Sequence, residues 1–178
     1  MSGHNKWSQI KHKKDITDAR KSKIFSKIVR FISVEARLSG GKESPGLRSA
    51  IEKAKKVNMP ADNIERAIKK ASESSVKMDA ITYEAYGPGG VGIIIETLTS
   101  SKNRTAQDIK HILSKNNSSL AGIGSVTWSF SKEITPEGII WKPSTTIPIS
   151  DSDMELLDKL VDELEENDDV QDVYVNAE

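Results

Sequence analysis

The chain has 178 residues, which is enough for one large domain or two small ones, each with its own core. It contains no cysteine, so disulfides and thiolate metal sites are excluded, and a reducing cytoplasm is the expected location. No window approaches the roughly 18 consecutive apolar residues that a membrane helix needs. The basic N-terminus also lacks the apolar segment of a secretory signal.

The net charge of zero is the sum of two oppositely charged halves. Residues 1–70 contain 18 Lys or Arg and 7 Asp or Glu, a net charge of +11. Residues 71–178 contain 8 Lys or Arg and 19 Asp or Glu, a net charge of −11. This separation is typical of a basic binding module joined to an acidic one, and it confines contact with a polyanion to one side of the molecule.

The first 30 residues are the most basic stretch. They hold nine lysines and arginines against Asp15 and Asp18, with the indole of Trp7 among the first lysines. Cations that neutralise phosphates release condensed counterions, and an indole can stack on a base. The stretch therefore predicts an arm that binds nucleic acid. The alternative is a solvated, positively charged arm with no ligand.

Three short helices follow the arm. The first is predicted from Ala19 to Ser39 and ends at Gly40-Gly41. The second begins after an N-cap at Ser44, with Pro45 in its first turn, and ends before Pro60. The third spans about Ala61 to Ser72, and residues 72–80 read as a polar linker. Residues 1–75 are thus predicted to form the arm and a helical bundle. On the first helix, a basic outer stripe is predicted opposite the apolar face, with members Lys23, Lys27, Arg30 and Arg37.

The pattern then changes to strands alternating with helices. Strands are predicted at 81–86, 91–99, 125–130, 145–149 and 170–175, with a turn at 87–90. One helix runs from about 103 to 116, and another begins near a capping box formed by Ser152 and Glu155. The order ββαββαβ predicts an antiparallel sheet with helices on one face, so residues 81–178 form an α+β domain.

The sequence contains no recognisable catalytic or metal-binding motif. Gly87–Gly92 lacks the spacing of a phosphate-binding loop, and a hairpin connection is the better reading. His4, His12 and His111 show no ligand spacing, and no GxSxG elbow is present. A solvated helix face explains nearly all of the twelve acidic residues from Asp151 onward, with Mg²⁺ binding or mimicry of nucleic acid as distant alternatives. We therefore expect no enzyme, no metal, no cofactor and no small-molecule substrate.

Asn103-Arg104-Thr105 stands at a predicted strand-to-helix junction, where an Asn and an Arg suit contact with an anion or a base. Capping by Asn or Thr beside a surface Arg explains the same residues equally well. The full set of candidate nucleic-acid contacts is His4, Lys6, Trp7, Lys11, His12, Lys13, Lys14, Arg20, Lys21, Lys23, Lys27, Arg30, Lys55, Lys56, Arg66, Lys69, Lys70, Asn103 and Arg104.

Several stretches of the chain resemble the YebC family. They are MSGHNKWSQIKHKK, DARKSKIFSKIVRFI, NMPADNIERAIKK, YEAYGPGGVGIIIE, NRTAQDIKH and DDVQDVYVN. The family includes bacterial proteins described as transcriptional regulators and the mitochondrial translational activator of cytochrome oxidase. The resemblance implies a cytoplasmic protein with an N-terminal helical domain, α/β domains and nucleic-acid binding. The matching motif positions are Gly3, His4, Lys6, Trp7, Ile10, Lys11, His12, Lys23, Phe25, Lys27, Asn103, Arg104 and Thr105.

One departure from the family concerns its third domain. Family members usually carry that domain as an insertion after the strand that ends here near Ser131. This chain has only residues 132–143 in its place. The basic arm and bundle are therefore expected to hold the core function.

Three hypotheses follow from these observations. The first is a non-catalytic regulator that binds DNA in transcription, with a ribosome-associated, RNA-binding translation factor as its alternative. The second is a module whose basic half docks an acidic protein surface without nucleic acid. An enzyme is third, because the motif search is empty.

Overall fold

The N-terminal part of the protein is a bundle of three helices. The computed structural model describes residues 18–74, 77–135 and 138–178. Helices α1 (Asp18–Leu38), α2 (Pro45–Lys56) and α3 (Ala61–Glu73) lie where the apolar periodicity predicts them. Their contact is built largely from small side chains, so the helices approach closely. The buried core residues are Ile32, Ala36, Leu47, Ala50, Ala54, Met59, Ile64, Ala67 and Ala71.

The ends of these helices follow the predicted local chemistry. The Ser44 hydroxyl accepts from the backbone N–H of Leu47 at 3.1 Å, and Pro45 occupies the first turn of α2. Helix α1 ends at Gly40 and Gly41, whose φ angles of 60° and 75° lie in the left-handed region that glycine favours. The connection between α1 and α2 is therefore fixed by its own sequence.

The remainder forms the predicted α+β layer. Strands β1 (Asp79–Tyr86), β2 (Gly92–Thr99), β3 (Ser119–Leu120) and β6 (Val170–Val175) make an antiparallel sheet in the order β3-β1-β2-β6. Helices α4 (Lys102–Lys115) and α5 (Asp151–Glu166) bury their apolar residues against one face of this sheet. That core includes Ile93, Ile95, Ile109, Leu113, Leu157, Leu160, Leu164 and Val173.

Strands β4 (Phe130–Thr135) and β5 (Gly138–Pro143) form a separate two-stranded hairpin, which packs on the opposite face of the sheet. Its contact with the sheet centres on buried Ile94, Val126 and Phe130, with Trp141 and Tyr174 packed beside them. The hairpin occupies the segment 132–143, for which the sequence predicted a shortened insertion without strands.

Two predicted strands are wrong, and each has a physical reason. Residues 125–129 are not extended, since the carboxylate of Glu84 accepts the backbone N–H groups of Gly124, Val126 and Thr127. The chain instead makes a 3₁₀ turn at Thr127–Ser129, which leaves 71% of Trp128 exposed. Residues 145–149 make only one isolated bridge, between Ile147 and Ala177, and the proline that follows Ile147 supplies no N–H donor.

The cap of α5 also differs from the prediction. The Ser150 hydroxyl, rather than that of Ser152, accepts from a backbone N–H, that of Asp153 at 3.1 Å. The helix therefore begins at Asp151, inside the acidic stretch. Across the described residues, no helix is both long enough and apolar enough to cross a membrane.

Candidate nucleic-acid interface

The basic stripe of α1 does not face open solvent along its whole length. Lys23, Lys27 and Arg30 are spaced by four and three residues and so share one side of the helix. The Nζ of Lys23 lies 3.4 Å from an Oε1 of Glu166, at the end of α5. Arg30 pairs with Asp169, in the turn that leads from α5 to β6. This side of α1 therefore meets the acidic part of the same chain, where the sequence predicted an outer surface.

Asp169 is the centre of this contact. One carboxylate oxygen, Oδ1, accepts from the guanidinium of Arg30 in the bundle. The other, Oδ2, accepts from Arg104 Nη2 at 2.9 Å and from the Thr105 hydroxyl at 2.7 Å, both in the first turns of α4. The Thr99 hydroxyl, at the end of β2, lies 3.3 Å from the same oxygen. A single carboxylate thus joins α1, α4 and the end of β2.

The electrostatics of this cluster keep Asp169 ionised. Only 6% of its side chain is exposed, and burial alone raises the pKa of a carboxyl. The hydrogen bonds from Arg104, Thr105 and Arg30, together with the charge of Arg30, outweigh burial and hold the pKa of Asp169 below its ordinary value. The hydrogen bond to Asp169 and the negative charge of its carboxylate in turn raise the pKa of Arg104. Two guanidinium groups therefore share one negative charge, which leaves the cluster with a net charge of +1.

Arg37 was predicted on the outer stripe of α1, but its Nε and Nη1 atoms are buried. The predicted cations of α2 and α3 lie at the surface of the bundle. Arg66, Lys69 and Lys70 are exposed on α3, on the side opposite buried Ile64 and Ala67. Lys55 and Lys56 are exposed at the end of α2. These cations extend from packed helices, so the backbone positions from which they project are fixed relative to one another.

The remaining candidates divide into exposed residues and residues beyond the described part of the chain. Lys21 is exposed and Lys27 is half-buried on α1, and Asn103 is exposed in the first turn of α4. The strand-to-helix junction predicted for Asn103 and Arg104 is present, since β2 ends at Thr99 and α4 begins at Lys102. The side chain of Arg20 lies outside the described residues, as do His4, Lys6, Trp7, Lys11, His12, Lys13 and Lys14.

Asp169 is an exception among the acidic residues of the C-terminal region, most of which are predicted to lie on a solvated helix face. It follows α5 and is buried at the junction of three elements. Its position, one residue before a strand of apolar residues, offers no local signal for that burial. The only sequence clue is that DDVQDVYVN and NRTAQDIKH both appear among the family-like stretches, and these stretches hold Asp169, Arg104 and Thr105.

Metal-ligating residues do not cluster in the part of the chain that the structure describes. No group of three or more His, Asp or Glu side chains there could hold a metal ion. His111 is exposed on α4. The acidic and basic side chains of this region pair with each other, as Lys115 does with Glu163 at 3.3 Å.

Family models match almost the whole chain. The model described as the TACO1/YebC protein N-terminal domain matches residues 5–74, which include the three-helix bundle. The model described as the TACO1/YebC second and third domain matches residues 78–135 and 131–177. This chain belongs to the TACO1/YebC family.

Individual TACO1/YebC relatives align along the full chain. A "Probable transcriptional regulatory protein" of Fervidobacterium nodosum is 40% identical over 235 positions, covering 99% of this chain and 93% of the relative. A protein of the same name from Pseudothermotoga lettingae is 37% identical over 238 positions, covering 100% of this chain and 94% of the relative. Both alignments are longer than the 178 residues of this chain, so these relatives contain residues within the aligned span that it lacks.

A solved structure shares the fold. The crystal structure of the conserved hypothetical protein Aq1575 from Aquifex aeolicus superposes with a TM-score of 0.85 at 33% sequence identity. The match covers 97% of this chain and 96% of that protein. The helical bundle and the antiparallel layer are therefore an arrangement that this chain shares with the Aquifex protein.

Proposed function

We propose that this protein is a non-catalytic regulator of gene expression that binds duplex DNA through the cationic surface of its N-terminal bundle. The observation that carries the proposal is the charge of +11 over residues 1–70, part of which lies on the exposed sides of α2 and α3. The family relatives named as transcriptional regulatory proteins point to DNA as the polyanion. The acidic half, with a charge of −11, repels the same polyanion and so favours contact on the side of the bundle.

The described cations divide into two groups under this proposal. Arg66, Lys69 and Lys70 are exposed on one rigid helix and contact phosphates directly. Lys23 already has an acidic partner in the same chain, so it contributes less to the salt dependence of binding. The segment before residue 18 adds four further lysines, at positions 6, 11, 13 and 14.

The hairpin of β4 and β5 stands at the place where the sequence lacks a family insertion. We propose that the bundle and the four-stranded sheet retain nucleic-acid binding without that insertion. A partner that contacts the inserted domain of relatives would then be absent from the interactions of this chain.

The experiment measures affinity for a short DNA duplex by filter binding at graded salt. The variant Lys69→Gln/Lys70→Gln removes two exposed bundle charges, and we expect the slope of log K against log salt to fall by about 1.8, or 0.9 for each duplex phosphate contact. Removal of residues 1–14 should reduce the slope further. The matched control is Lys110→Gln/Lys159→Gln, which removes two exposed helical lysines from the acidic half.

Equal losses from the two double variants would contradict the bundle as the binding surface. A parallel titration with single-stranded RNA, with ribosome co-sedimentation at graded salt, separates a transcriptional regulator from a translation factor. Tight ribosome association with weak duplex binding would overturn the choice of DNA. Binding of an acidic protein without any salt-dependent binding of nucleic acid would replace the proposal by a protein-docking module.

A further inference from the structure

The junction between the bundle and the α+β layer contains one buried acid whose presence near a surface that binds a polyanion a simple electrostatic account does not explain. Asp169 lies between Arg30 and Arg104, which come from the two oppositely charged parts of the chain. A negative charge at a surface that binds a polyanion weakens binding unless it performs another task. The contacts of Asp169 indicate what that task is.

We propose that Asp169 is a positioning residue, which holds Arg30 of the bundle and Arg104 of the α+β layer side by side so that both contact one nucleic-acid backbone across the junction. The inference rests on the proposed function. It adds a second contact region to the cations of α2 and α3, and it assigns the two arginines to a single phosphate clamp.

The geometry leaves both arginines able to bind. Each guanidinium carries five N–H donors, and Arg30 and Arg104 occupy opposite oxygens of the carboxylate. About 54% of the Arg104 side chain and 27% of the Arg30 side chain remain exposed, so neither side chain is closed off from solvent. Planar guanidinium forks suit bidentate contact with phosphate oxygens.

Further hydrogen bonds fix the position of the Asp169 carboxylate. The hydroxyls of Thr99 and Thr105 contact Oδ2, and Asp169 has a further anchor in its backbone N–H, which donates to the Asn167 side chain at 2.9 Å. The hydrogen bond to Asp169 therefore holds the Arg104 side chain in place before a ligand binds, so less conformational entropy is lost on binding.

The variant Asp169→Asn separates positioning from charge by the sign of its effect. If Asp169 acted only as a negative charge, its removal would strengthen binding of a polyanion. If it positions the two arginines, removal weakens binding although the net charge becomes more positive. The matched control is Asp168→Asn, which removes the same charge from the neighbouring exposed residue.

We expect Asp168→Asn to bind a DNA duplex as tightly as the unmodified protein or slightly more tightly. We expect Asp169→Asn to bind about tenfold more weakly at moderate salt, since loss of one charge-assisted contact has about that effect. The salt slope should fall by about 0.9 for each arginine that no longer reaches a phosphate. Unchanged or tighter binding by a folded Asp169→Asn protein overturns the inference.

Two further variants keep the test decisive if Asp169→Asn does not fold. Arg104→Lys preserves the charge but removes the fork that bridges Asp169 and a phosphate, so we expect it to weaken binding severalfold. Thr105→Val removes a hydroxyl that holds the carboxylate, and it should weaken binding in the presence of Arg104 but not in an Arg104→Gln background. Native affinity in Arg104→Lys, or equal effects of Thr105→Val in both backgrounds, contradicts the clamp.

Failure of this inference is distinguishable from failure of the proposed function. If the unmodified protein binds DNA and Lys69→Gln/Lys70→Gln weakens it while Asp169→Asn does not, only the clamp is wrong. If the unmodified protein shows no salt-dependent binding of nucleic acid, both the clamp and the proposed function are wrong.

Discussion

Glu84 holds a loop through three hydrogen bonds, and Glu84→Gln tests how much that carboxylate stabilises the fold. One oxygen, Oε1, accepts from the N–H of Gly124 at 2.6 Å, and Oε2 accepts from Val126 at 2.6 Å and Thr127 at 2.9 Å. The side chain is buried, so water does not replace a lost partner readily. Gln keeps the shape of Glu but has only one accepting oxygen.

The expected loss of stability is about 3 kcal/mol. If the amide oxygen of Gln faces Val126 and Thr127, the amide NH₂ opposes the N–H of Gly124, and one charge-assisted hydrogen bond is lost at about 2 kcal/mol. The other two become neutral hydrogen bonds, each weaker by about 0.5 kcal/mol or more. For a chain of this length, about 3 kcal/mol corresponds to a decrease in melting temperature of roughly 6–12 °C.

Urea unfolding at pH 7 measures the change, with Glu65→Gln on the exposed side of α3 as the matched control. Hydrogen exchange of residues 121–129 should accelerate in Glu84→Gln, because the three N–H groups lose their charged acceptor. We expect Glu65→Gln to lie within about 0.5 kcal/mol of the unmodified protein.

The pH dependence gives a second measurement of the same interaction. Burial alone would raise the pKa of Glu84, but the hydrogen bonds from Gly124, Thr127 and Val126 outweigh it and lower that pKa. A carboxyl with a lowered folded pKa stabilises the protein fully above its unfolded pKa, and this contribution is lost as the pH falls through the folded value. The difference in stability between the unmodified protein and Glu84→Gln should therefore narrow below about pH 4. A difference of less than about 0.5 kcal/mol at pH 7, or one that does not narrow in acid, refutes this account of the loop.

Two further predictions concern other contacts. Arg30→Met keeps the aliphatic stem but leaves Asp169 with one cation fewer, so we expect urea unfolding to show a loss of about 2 kcal/mol in stability and hydrogen exchange in α1 to accelerate. Arg48→Met, which removes an exposed pair with Glu43, should change stability by less than about 0.5 kcal/mol. Equal losses from the two variants would contradict a special role for Arg30. Trp141→Ala should lower the free energy of unfolding by about 3 kcal/mol, because the indole donates to Glu96 and packs on the core beside Ile94. Trp128→Ala should lower it by less than about 1 kcal/mol, since Trp128 is largely exposed. A larger loss for Trp128→Ala than for Trp141→Ala in urea unfolding would show that the hairpin contact is misassigned.

The elements that could be predicted from the sequence are those whose signals are local. The helices of the bundle show 3.6-residue periodicity, and Ser44, Pro45, Gly40 and Gly41 mark ends by interactions within a few residues. The strands β1, β2 and β6 are rich in β-branched or aromatic residues. The family resemblance rested on stretches of the same local kind.

The features that could not be predicted depend on partners distant in the chain. Residues 125–129 alternate as a strand does, but Glu84, about forty residues earlier, binds their N–H groups and bends them into a turn. Asp169 resembles its solvated neighbours, but Arg30 lies 139 residues away and Arg104 lies 65 residues away. Sequence patterns report the preferences of a segment, and they contain little information on which distant side chain reaches it.

The same distant contacts change the meaning of the charge separation. A count of +11 over the first 70 residues treats every cation as available, yet Lys23 and Arg30 have acidic partners in the other half of the chain. Cations of the half that is proposed to bind a polyanion thus also pair with acidic residues at the contact between the bundle and the α+β layer. Salt weakens the ion pairs at this contact to different degrees. The pair of Lys23 and Glu166 is partly exposed and is screened, whereas the buried carboxylate of Asp169 is screened much less. If the proposed function is right, salt should release nucleic acid from the exposed lysines while the Asp169 cluster stays intact, so the two arginines keep their positions for the next binding event.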